Sequence, residues 1–372
     1  MSSLLLPPGF KDEIFDQASI EHKYKNLIIN LFQSNGYKLI KPPMIEYADK
    51  KNIKNAFLIK EKKSNKGFVL RDDITLQIAR IANSRLIHKN RPLKLSYYGE
   101  VIRKKGTMLR PERQFLQVGA ECIGEHNYLA DVEMLDLAYQ ALISVGIKKI
   151  SIELSSSEFL NFLLKKIKSI KERNKIILFL RRKDLGNCLK ILDTSLHSYV
   201  KNLLGSTGNL SKKRKIFNKL VVDEKTKIAQ EELLLIFSTF IKKYPKTNFF
   251  LDLSESNYLE YHTGTRFTFY ANNVRGEVAR GGRYVSKFNS KKESSTGFTC
   301  FMDTIIRASS FVEKNKKILI PFETSDKKKK KLISDGYVLD TFFGKKNNIK
   351  EIAVKNKIKY CLINNKIVNI KI

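Results

Sequence analysis

The sequence has few of the residues that build metal sites and disulfide frameworks. It contains four cysteines and five histidines, and neither set shows the close spacing that zinc ligands or paired cysteines need. We therefore expect no metal site and no disulfide framework. The cysteines, Cys122, Cys188, Cys300 and Cys361, are expected to be small buried apolar side chains.

Long apolar runs are also missing from the sequence. No stretch approaches the roughly 20 consecutive apolar residues that a membrane-spanning helix needs. The start, MSSLLLPPGFKDE, lacks the basic residues that open a signal peptide. These features predict a cytoplasmic protein with no membrane segment. Apolar residues still make up 42% of the 372 positions, which predicts one large domain and a smaller one.

Negative charge is scarce beside positive charge. The 70 lysines and arginines outnumber the 37 acidic residues, which gives a net charge of +33. Such an excess could neutralise the phosphates of a nucleic acid. The alternative is a lysine-rich solvated surface, because the lysines are spread along the chain and runs such as Lys327 to Lys331 suit an exposed helical face. We favour this alternative and expect no dedicated nucleic-acid site.

Apolar periodicity predicts the helices. Residues 20 to 32 and 131 to 145 carry apolar side chains at three- and four-residue steps, which is typical of amphipathic helices. Residues 68 to 86 begin as a strand and continue as a helix. Asp73 and Thr75 fall at that junction, where they either cap the helix or face a ligand, and periodicity alone favours capping. Residues 157 to 244 are lysine-rich and helical in pattern, without a chemical signature.

The stretch GEVIRKKGTMLRPERQFLQVGAE, residues 99 to 121, predicts a β-hairpin with a basic loop. Alternation along its second strand places Gln117, Gly119 and Glu121 on one face, and Leu116, Val118 and Ala120 on the other. A glycine on the polar face leaves room for a molecule to lie against the sheet. Two arginines flank this polar face at the ends of the loop. They are Arg103 and Arg113.

Extended structure is predicted again from residue 249, through YHTGTRFTFYANNVRGEVARGGRYVSKF, and STGFTCFMDTIIRA leads into a helix. In RGGRY, Gly281 and Gly282 either form a tight turn with φ above zero while Arg283 pairs with a carboxylate, or the arginine contacts a ligand. From residue 317 the pattern alternates between strand and helix and ends with one strand, IKYCLINNKIV. That alternation predicts a small α/β domain.

Several motifs, in their order along the chain, resemble the catalytic domain of histidyl-tRNA synthetase. They are KPPMIEY, the basic hairpin, QVGAE, EYHTGTRF and RGGRY. The resemblance implies an α+β fold: a class II aminoacyl-tRNA synthetase-like antiparallel sheet flanked by helices, with a small C-terminal α/β domain. The expected domains are residues 1–312, including the helical region 157–244, and residues 316–372, which resemble a shortened anticodon-binding domain.

The resemblance also implies a pocket for histidine, because the matching synthetase residues hold the amino group and the imidazole of that amino acid. Acidic side chains suit an ammonium group. The residues predicted to form the pocket are Asp73, Thr75, Arg103, Gln117, Glu121, Tyr261 and His262. For Tyr261 and His262 the alternative is an ordinary place in the sheet. Arg113 and Arg283 are predicted contacts to an anion or a partner, and Arg103 and Arg113 are candidates for binding histidine's carboxylate.

Three departures from the synthetase pattern argue against activation of an amino acid. Lys105 stands where the R-x-E motif has the glutamate that helps to hold ATP. Phe301 stands at a glycine position of the third motif, and Thr304 at the position of its nucleotide-binding arginine. Asn257 replaces an arginine that serves the activation step. Each such loss typically costs about 10² to 10³ in rate, so we predict a protein with no catalytic residue and no cofactor.

A synthetase fold that keeps the amino-acid pocket and loses the ATP clamp resembles the regulatory subunits of ATP phosphoribosyltransferase. The resemblance implies a partner for the short catalytic subunit in the first step of histidine biosynthesis, with histidine as feedback effector. Class II folds pair through their first motif, here around residues 35 to 47, so we expect a homodimer within a hetero-oligomer. The alternatives are an active histidyl-tRNA synthetase and a synthetase paralogue that binds RNA or ligates amides.

Overall fold

The structure is a computed structural model that describes residues 5–48, 55–60, 67–255, 262–288, 291–309, 316–344 and 348–371. The chain divides into two compact units, Met1–Ser310 and Phe311–Ile372. The larger unit contains the cavity and the charged clusters considered below. The smaller unit has its own sheet and its own apolar core.

The larger unit alternates between short strands and helices before it enters a helical stretch. Its first elements are α1 (Asp16–Ser34), β1 (Lys38–Ile40), β2 (Ile45–Tyr47), β3 (Leu58–Lys60), β4 (Gly67–Leu70), α2 (Thr75–Ala82), β5 (Leu93–Ile102), β6 (Gln114–Ile123), α3 (Leu129–Ser144) and β7 (Ile150–Ser156). The helical stretch consists of α4 (Ser157–Lys166), α5 (Ile170–Arg181), α6 (Leu185–Ile191), a 3-10 turn (Thr194–Leu196), α7 (His197–Gly205), the two-residue strand β8 (Gly208–Asn209), α8 (Leu210–Asn218) and α9 (Glu224–Lys243). The unit ends with β9 (Asn248–Leu251), β10 (His262–Ala271), β11 (Glu277–Phe288), β12 (Lys291–Phe301) and α10 (Met302–Ala308).

A large sheet organises this unit. Within the described residues it has nine strands in the order β1-β5-β6-β12-β11-β10-β7-β9-β8. Its central strands are antiparallel, while β1 pairs with β5 and β7 pairs with β9 in parallel. The strands β2, β4 and β3 form a separate small sheet. The predicted class II synthetase-like antiparallel sheet flanked by helices is therefore confirmed.

The two faces of the large sheet differ in character. On β6, Leu116, Val118 and Ala120 belong to the main apolar cluster that includes residues of α1 and α3. Gln117 and Glu121 lie on the opposite face, as the alternation predicted. The alternation is strict because side chains of a strand point to opposite faces in turn. One face of the sheet therefore supports the core, and the other is available for a polar site.

The helical stretch shares the core of the large sheet. Buried side chains such as Phe159, Leu203 and Phe240 belong to the same apolar cluster as the sheet residues. The longest helix of the stretch, α9, begins with a reciprocal cap in which Asp223 accepts from the amide of Thr226 at 2.8 Å, while the Thr226 hydroxyl accepts from the amide of Asp223 at 3.1 Å. These helices cover the apolar face and leave the polar face open.

The smaller unit is a four-stranded sheet with two helices. Its elements are β13 (Lys316–Pro321), α11 (Asp326–Ser334), β14 (Tyr337–Phe342), α12 (Ile349–Lys355), β15 (Tyr360–Ile363) and β16 (Lys366–Asn369), and the strand order is β14-β13-β15-β16. The predicted small α/β domain is confirmed. The last predicted strand is instead a hairpin, because Asn364 and Asn365 adopt φ values of 47° and 62°. Asparagine tolerates this left-handed region, and two such residues make a tight turn between paired strands.

Candidate functional site

A cavity of about 170 Å³ opens on the polar face of the large sheet. Its walls include Asp73 and Thr75 from the start of α2, Glu121 from β6, and Arg280 and Tyr284 from β11. For comparison, a cavity of about 150 Å³ holds one benzene molecule. The space therefore suits a single small molecule of the size of an amino acid.

Glycines form the floor of this cavity. A β-carbon at Gly297 would overlap the carboxylate of Glu121, and a β-carbon at Gly119 would overlap the ring of Tyr97. At Gly282 it would lie 2.5 Å from a backbone carbonyl oxygen. A larger side chain would therefore displace the Glu121 carboxylate at Gly297, and the Tyr97 ring or the neighbouring backbone at the other two positions, which explains why the sequence has glycine there.

The motif RGGRY lies inside β11, so the predicted tight turn is wrong. Gly281 pairs with Phe298 of β12, and Gly282 pairs with Gly297 of the same strand. Only Gly282 has a φ in the glycine-favouring region, at 149°. Paired glycines are usual in turns, but here they permit the close approach of neighbouring strands.

Glu121 is the most deeply buried acidic group in the cavity, with a relative exposure of 1%. The hydroxyl of Tyr284 donates to its Oε2 at 2.9 Å, and the hydroxyl of Tyr97 donates to its Oε1 at 3.5 Å. Burial raises the pKa of Glu121 to about 8, and these hydrogen bonds do not offset that effect. At neutral pH the group is therefore mostly a neutral carboxylic acid, which can both donate and accept hydrogen bonds.

Asp73 and Thr75 connect the start of α2 to the sheet. The amide of Thr75 donates to Oδ1 of Asp73 at 2.9 Å, and Gln117 Nε2 donates to its Oδ2 at 3.2 Å. The amide of Ile74 in turn donates to Oε1 of Gln117 at 3.2 Å. Asp73 thus accepts from the first amide of α2, as the capping alternative predicted, and it also lines the cavity; its contact with a ligand stays a prediction.

Tyr97, which the sequence did not single out, joins the two sides of the cavity. Its hydroxyl lies 2.7 Å from the hydroxyl of Thr299 on β12 and 3.2 Å from that of Thr75. In the sheet Tyr97 pairs with Gly119. Cross-strand pairing with the predicted glycine was the signal that could have identified it, because residues paired across strands share a face.

Arg103 lies beside the cavity rather than in its wall. Its Nε donates to the backbone oxygen of Asp72 at 3.4 Å, and its guanidinium lies 4.9 Å from the centre of the Phe115 ring. Burial lowers the pKa of Arg103, and the nearby positive charges of Arg280 and Arg110 add to the effect. The structure therefore brings Arg103 close to the predicted pocket residue Asp73 and to Arg280, both of which lie in the cavity wall.

Arg113 connects the basic hairpin to the N-terminal segment. Its guanidinium lies between two rings, 4.9 Å from the centre of Phe10 and 5.0 Å from that of Phe57. Its Nη1 donates to the backbone oxygen of Pro8 at 3.1 Å, and its Nε donates to that of Arg103 at 3.2 Å. Through these contacts Arg113 fixes the N-terminal segment against the basic hairpin.

Arg283 pairs with a carboxylate, as one of its two alternatives predicted. Its Nη2 lies 2.8 Å from Oδ2 of Asp131, a buried residue of α3. Its Nη1 donates to the backbone oxygen of Glu125 at 2.7 Å, and Nη2 donates to that of Asn127 at 2.8 Å. Arg283 therefore ties β11 to the start of α3.

Two of the positions singled out in the sequence, Tyr261 and Asn257, lie outside the described residues. His262 is the first residue of β10 and pairs with Tyr284. Its side chain also lies outside the description. Tyr261 and His262 therefore remain predictions from the sequence.

A dense charged cluster lies beside the cavity, at the third-motif departure from the synthetase pattern, Phe301 and Thr304. The guanidinium of Arg110 stacks 3.8 Å from the centre of the buried Phe301 ring. It also pairs with Asp303 at 3.2 Å and with Glu277 at 3.3 Å, and it donates to the hydroxyl of Thr304 at 3.3 Å. A side chain of the protein thus covers the face of Phe301 and is neutralised by two carboxylates.

The described part of the chain contains no group of three histidine, cysteine or acidic residues arranged to hold a metal ion. In the same residues no helix combines the length and the apolar character that crossing a membrane requires. The four cysteines are all buried and free.

Comparisons with known proteins bear on the whole chain. The family model for histidyl-tRNA synthetase matches residues 9–305. An ATP phosphoribosyltransferase regulatory subunit from Rhodospirillum centenum is 31% identical over 90% of this chain and 88% of the relative. The crystal structure of an ATP phosphoribosyltransferase regulatory subunit/histidyl-tRNA synthetase from Bacillus halodurans has a TM-score of 0.78 at 24% identity, over 92% of this chain and 93% of that one. A chain of the ATP phosphoribosyl transferase (HisG:HisZ) complex from Thermotoga maritima has a TM-score of 0.61 at 19% identity, over 78% of this chain and 98% of that one.

Proposed function

Because the chain belongs to the histidyl-tRNA synthetase family, and within it to the ATP phosphoribosyltransferase regulatory subunits, we propose that it acts with a short-form catalytic subunit in the first step of histidine biosynthesis. In this proposal the chain is a cytoplasmic binding protein and the catalytic subunit carries the active site. The 31% identical relative supports the role, and the similar fold of a chain in a two-component complex supports the partner.

The stacking of Arg110 on Phe301 is the observation that carries the non-catalytic part of the proposal. Adenylation requires fixed cations that clamp phosphoryl oxygens and stabilise developing charge. Arg110 is instead paired with Asp303 and Glu277, so its charge is already satisfied by the protein. Phe301 and Thr304 add no cation at this position. These features support a site that binds an amino acid without activating it.

Histidine is the proposed ligand of the cavity. The hydroxyl of Tyr284 and the neutral carboxyl of Glu121, both in the cavity wall, offer donors and acceptors to an imidazole ring. Asp73 offers a carboxylate to the ammonium group, and Arg103 a cation near the same space. We retain Thr75, Gln117, Tyr261 and His262 as predicted members of the pocket. Histidine would regulate by binding two states of the complex with different affinity.

The first motif supplies the proposed homodimer contact within the hetero-oligomer. Four apolar side chains there are strongly exposed, with fractions between 40% and 63%. They are Leu39, Met44, Ile45 and Tyr47. They lie on β1, at the edge of the large sheet, and on and just before β2. Exposed apolar side chains grouped within one short segment support an interaction site there.

Reconstitution with the catalytic subunit tests the function. ATP phosphoribosyltransferase activity of the short catalytic subunit from the same source would be assayed alone, with this protein, and with both this protein and histidine. We expect strong activation by the protein and inhibition by histidine. Absence of both activation and co-elution would overturn the proposal. Histidine-dependent exchange of pyrophosphate into ATP would then indicate an active synthetase, and tRNA binding that persists at physiological salt would indicate an RNA-binding paralogue.

A further inference from the structure

A positively charged side chain lies in the wall of the cavity, away from its acidic groups. Arg280 pairs across strands with Thr299, which pairs with Gly119 of β6. Glu121 lies two strands and two residues away from Arg280, which places their α-carbons roughly 12 Å apart. Gly282 and Gly297 between them add no side chains, so the wall of the cavity carries both a carboxyl group and a guanidinium with open space between their strands.

The surroundings of Arg280 are rich in positive charge. Its Nη1 lies 3.5 Å from Oε1 of Glu277, which Arg110 also contacts at 3.3 Å. Arg103 adds a third guanidinium, whose charge interacts unfavourably with that of Arg280. Three described guanidinium groups therefore lie near one another here, together with the carboxylates of Glu277 and Asp303 and, beside Arg103, those of Asp72 and Asp73. Of the three arginines, Arg280 is the one that lies in the cavity wall.

The guanidinium of Arg280 is also restricted in position. It lies 5.3 Å from the centre of the Phe301 ring, and the ion pair with Glu277 holds one of its nitrogens. Its side chain is 22% exposed, so part of it remains accessible from the cavity. A planar guanidinium that is already held in place loses little freedom when it forms further hydrogen bonds.

From this geometry we infer that Arg280 binds the carboxylate of the ligand and makes the cavity specific for a free amino acid over analogues that lack a carboxylate. The inference rests on the proposed function, because it takes histidine as the ligand. The acidic end would hold the ring and the ammonium group, and Arg280 would hold the other end. Arg280 is then a specificity-determining residue that the sequence patterns did not identify.

A purely structural role for Arg280 makes a different prediction. If Arg280 served only to neutralise Glu277, its loss would weaken the binding of every ligand to a similar extent. If it binds the carboxylate, its loss weakens histidine binding alone. The comparison of ligands with and without the carboxylate therefore separates the two roles.

Calorimetry with three compounds tests the inference. L-histidine, L-histidinol and histamine share the imidazole and the amino group, but the last two lack the carboxylate. We expect wild-type protein to bind L-histidine about 10- to 100-fold more tightly than the other two, the usual range for a hydrogen bond to a charged group. Arg280→Gln should remove that preference and leave the affinity for histamine unchanged, and Arg280→Lys should restore part of it.

The matched control is Arg307→Gln. Arg307 pairs with Glu112 and lies 3.7 Å from Asp303, so this variant removes one charge from the same cluster without touching the cavity wall. It should retain the preference for L-histidine. Circular dichroism and thermal unfolding would show whether each variant is folded. If Arg280→Gln is not folded, Arg280→Lys takes its place in the comparison.

If the protein binds these compounds, two results would overturn the inference. One is equal affinity of wild-type protein for histidine and histamine, and the other is an unchanged preference in folded Arg280→Gln. If wild-type protein bound none of the compounds, the pocket and the inference would both fall. If it bound histidine with the expected preference and yet failed to activate the catalytic subunit, the regulatory function alone would fall and the role of Arg280 would be supported.

Discussion

Tyr284 on β11 donates a hydrogen bond to Glu121 on β6 at 2.9 Å, across the intervening strand β12. The bond is made above Gly297, where a β-carbon would overlap the Glu121 carboxylate. The pair thus depends on a residue that contributes no side chain. It also places a buried, mostly neutral carboxyl group where a ligand of the cavity would meet it.

Glu121 gives the stability of the protein a defined pH dependence. Its pKa rises from an ordinary value of 4.5 to about 8 on folding, so the folded state holds a proton that the unfolded state releases. The stabilisation is complete below pH 4.5 and is lost as the pH rises from there to about 8. We expect wild-type protein to lose stability relative to Glu121→Gln over this interval, as measured by urea unfolding at several pH values.

Comparison with the variant is needed because Glu21 and Glu153 also have raised pKa values, about 8 and about 7, and contribute with the same sign. The difference between wild-type protein and Glu121→Gln cancels their contributions. Parallel pH profiles for the two proteins would mean that Glu121 is ionised in the folded state.

Asp73 is expected to bind the ammonium group of histidine. Asp73→Asn keeps an oxygen that can accept from the amide of Thr75, so the start of α2 should persist. Loss of the charge should weaken histidine binding about 10- to 100-fold in calorimetry. Asp72→Asn is the matched control, since this neighbouring carboxyl is not in the cavity wall and its removal should leave the affinity unchanged. Equal effects of the two substitutions would refute the assignment.

Phe301 is expected to be a structural residue that supports Arg110. Phe301→Ala removes a fully buried ring and the surface on which the guanidinium stacks. We expect the free energy of unfolding to fall by about 3–5 kcal/mol, as measured by urea denaturation. Phe322→Ala is the control, because Phe322 is 60% exposed and should change stability by less than about 0.5 kcal/mol. A loss below about 1 kcal/mol at Phe301 would show that the site collapses easily and that the ring does not support the cluster.

The exposed first motif is expected to form the homodimer contact. Ile45→Asp places an unpaired charge on the apolar surface of β2, and the cost of burying it, on the order of several kcal/mol, should weaken dimerisation. Size-exclusion chromatography with light scattering at several concentrations would report the change. Leu129→Asp, at an exposed position at the start of α3, should leave the oligomeric state unchanged. A dimer that survived Ile45→Asp would place the contact elsewhere on the protein.

Local patterns in the sequence predicted the scaffold of the site. The alternation on β6 placed Gln117 and Glu121 on one face, because a strand repeats every two residues whatever its neighbours are. The junction that carries Asp73 and Thr75 was visible as a change from strand to helix. Both features depend only on residues close together in the chain.

Other parts of the site depend on distant segments and left no local signal. Arg110 meets Asp303 across 193 positions, and no periodic pattern relates two residues so far apart. A turn was one of two alternatives for RGGRY because paired glycines usually interrupt regular structure, whereas here the demand for glycine comes from neighbouring strands. Arg280 stands beside those glycines in the sequence, and its place in the cavity depends on the register between β11 and β12.

The stacking of Arg110 on Phe301 has a consequence for how the protein would respond in the cell. The activity of a synthetase depends on the concentrations of two substrates, because an amino acid and a nucleotide bind in adjoining spaces. In the proposed function, the guanidinium of Arg110 covers Phe301, at the third motif through which a synthetase holds its nucleotide. Occupancy of the cavity would then depend on the concentration of histidine alone, and a change in the cellular ATP concentration would leave the binding of histidine to this subunit unchanged.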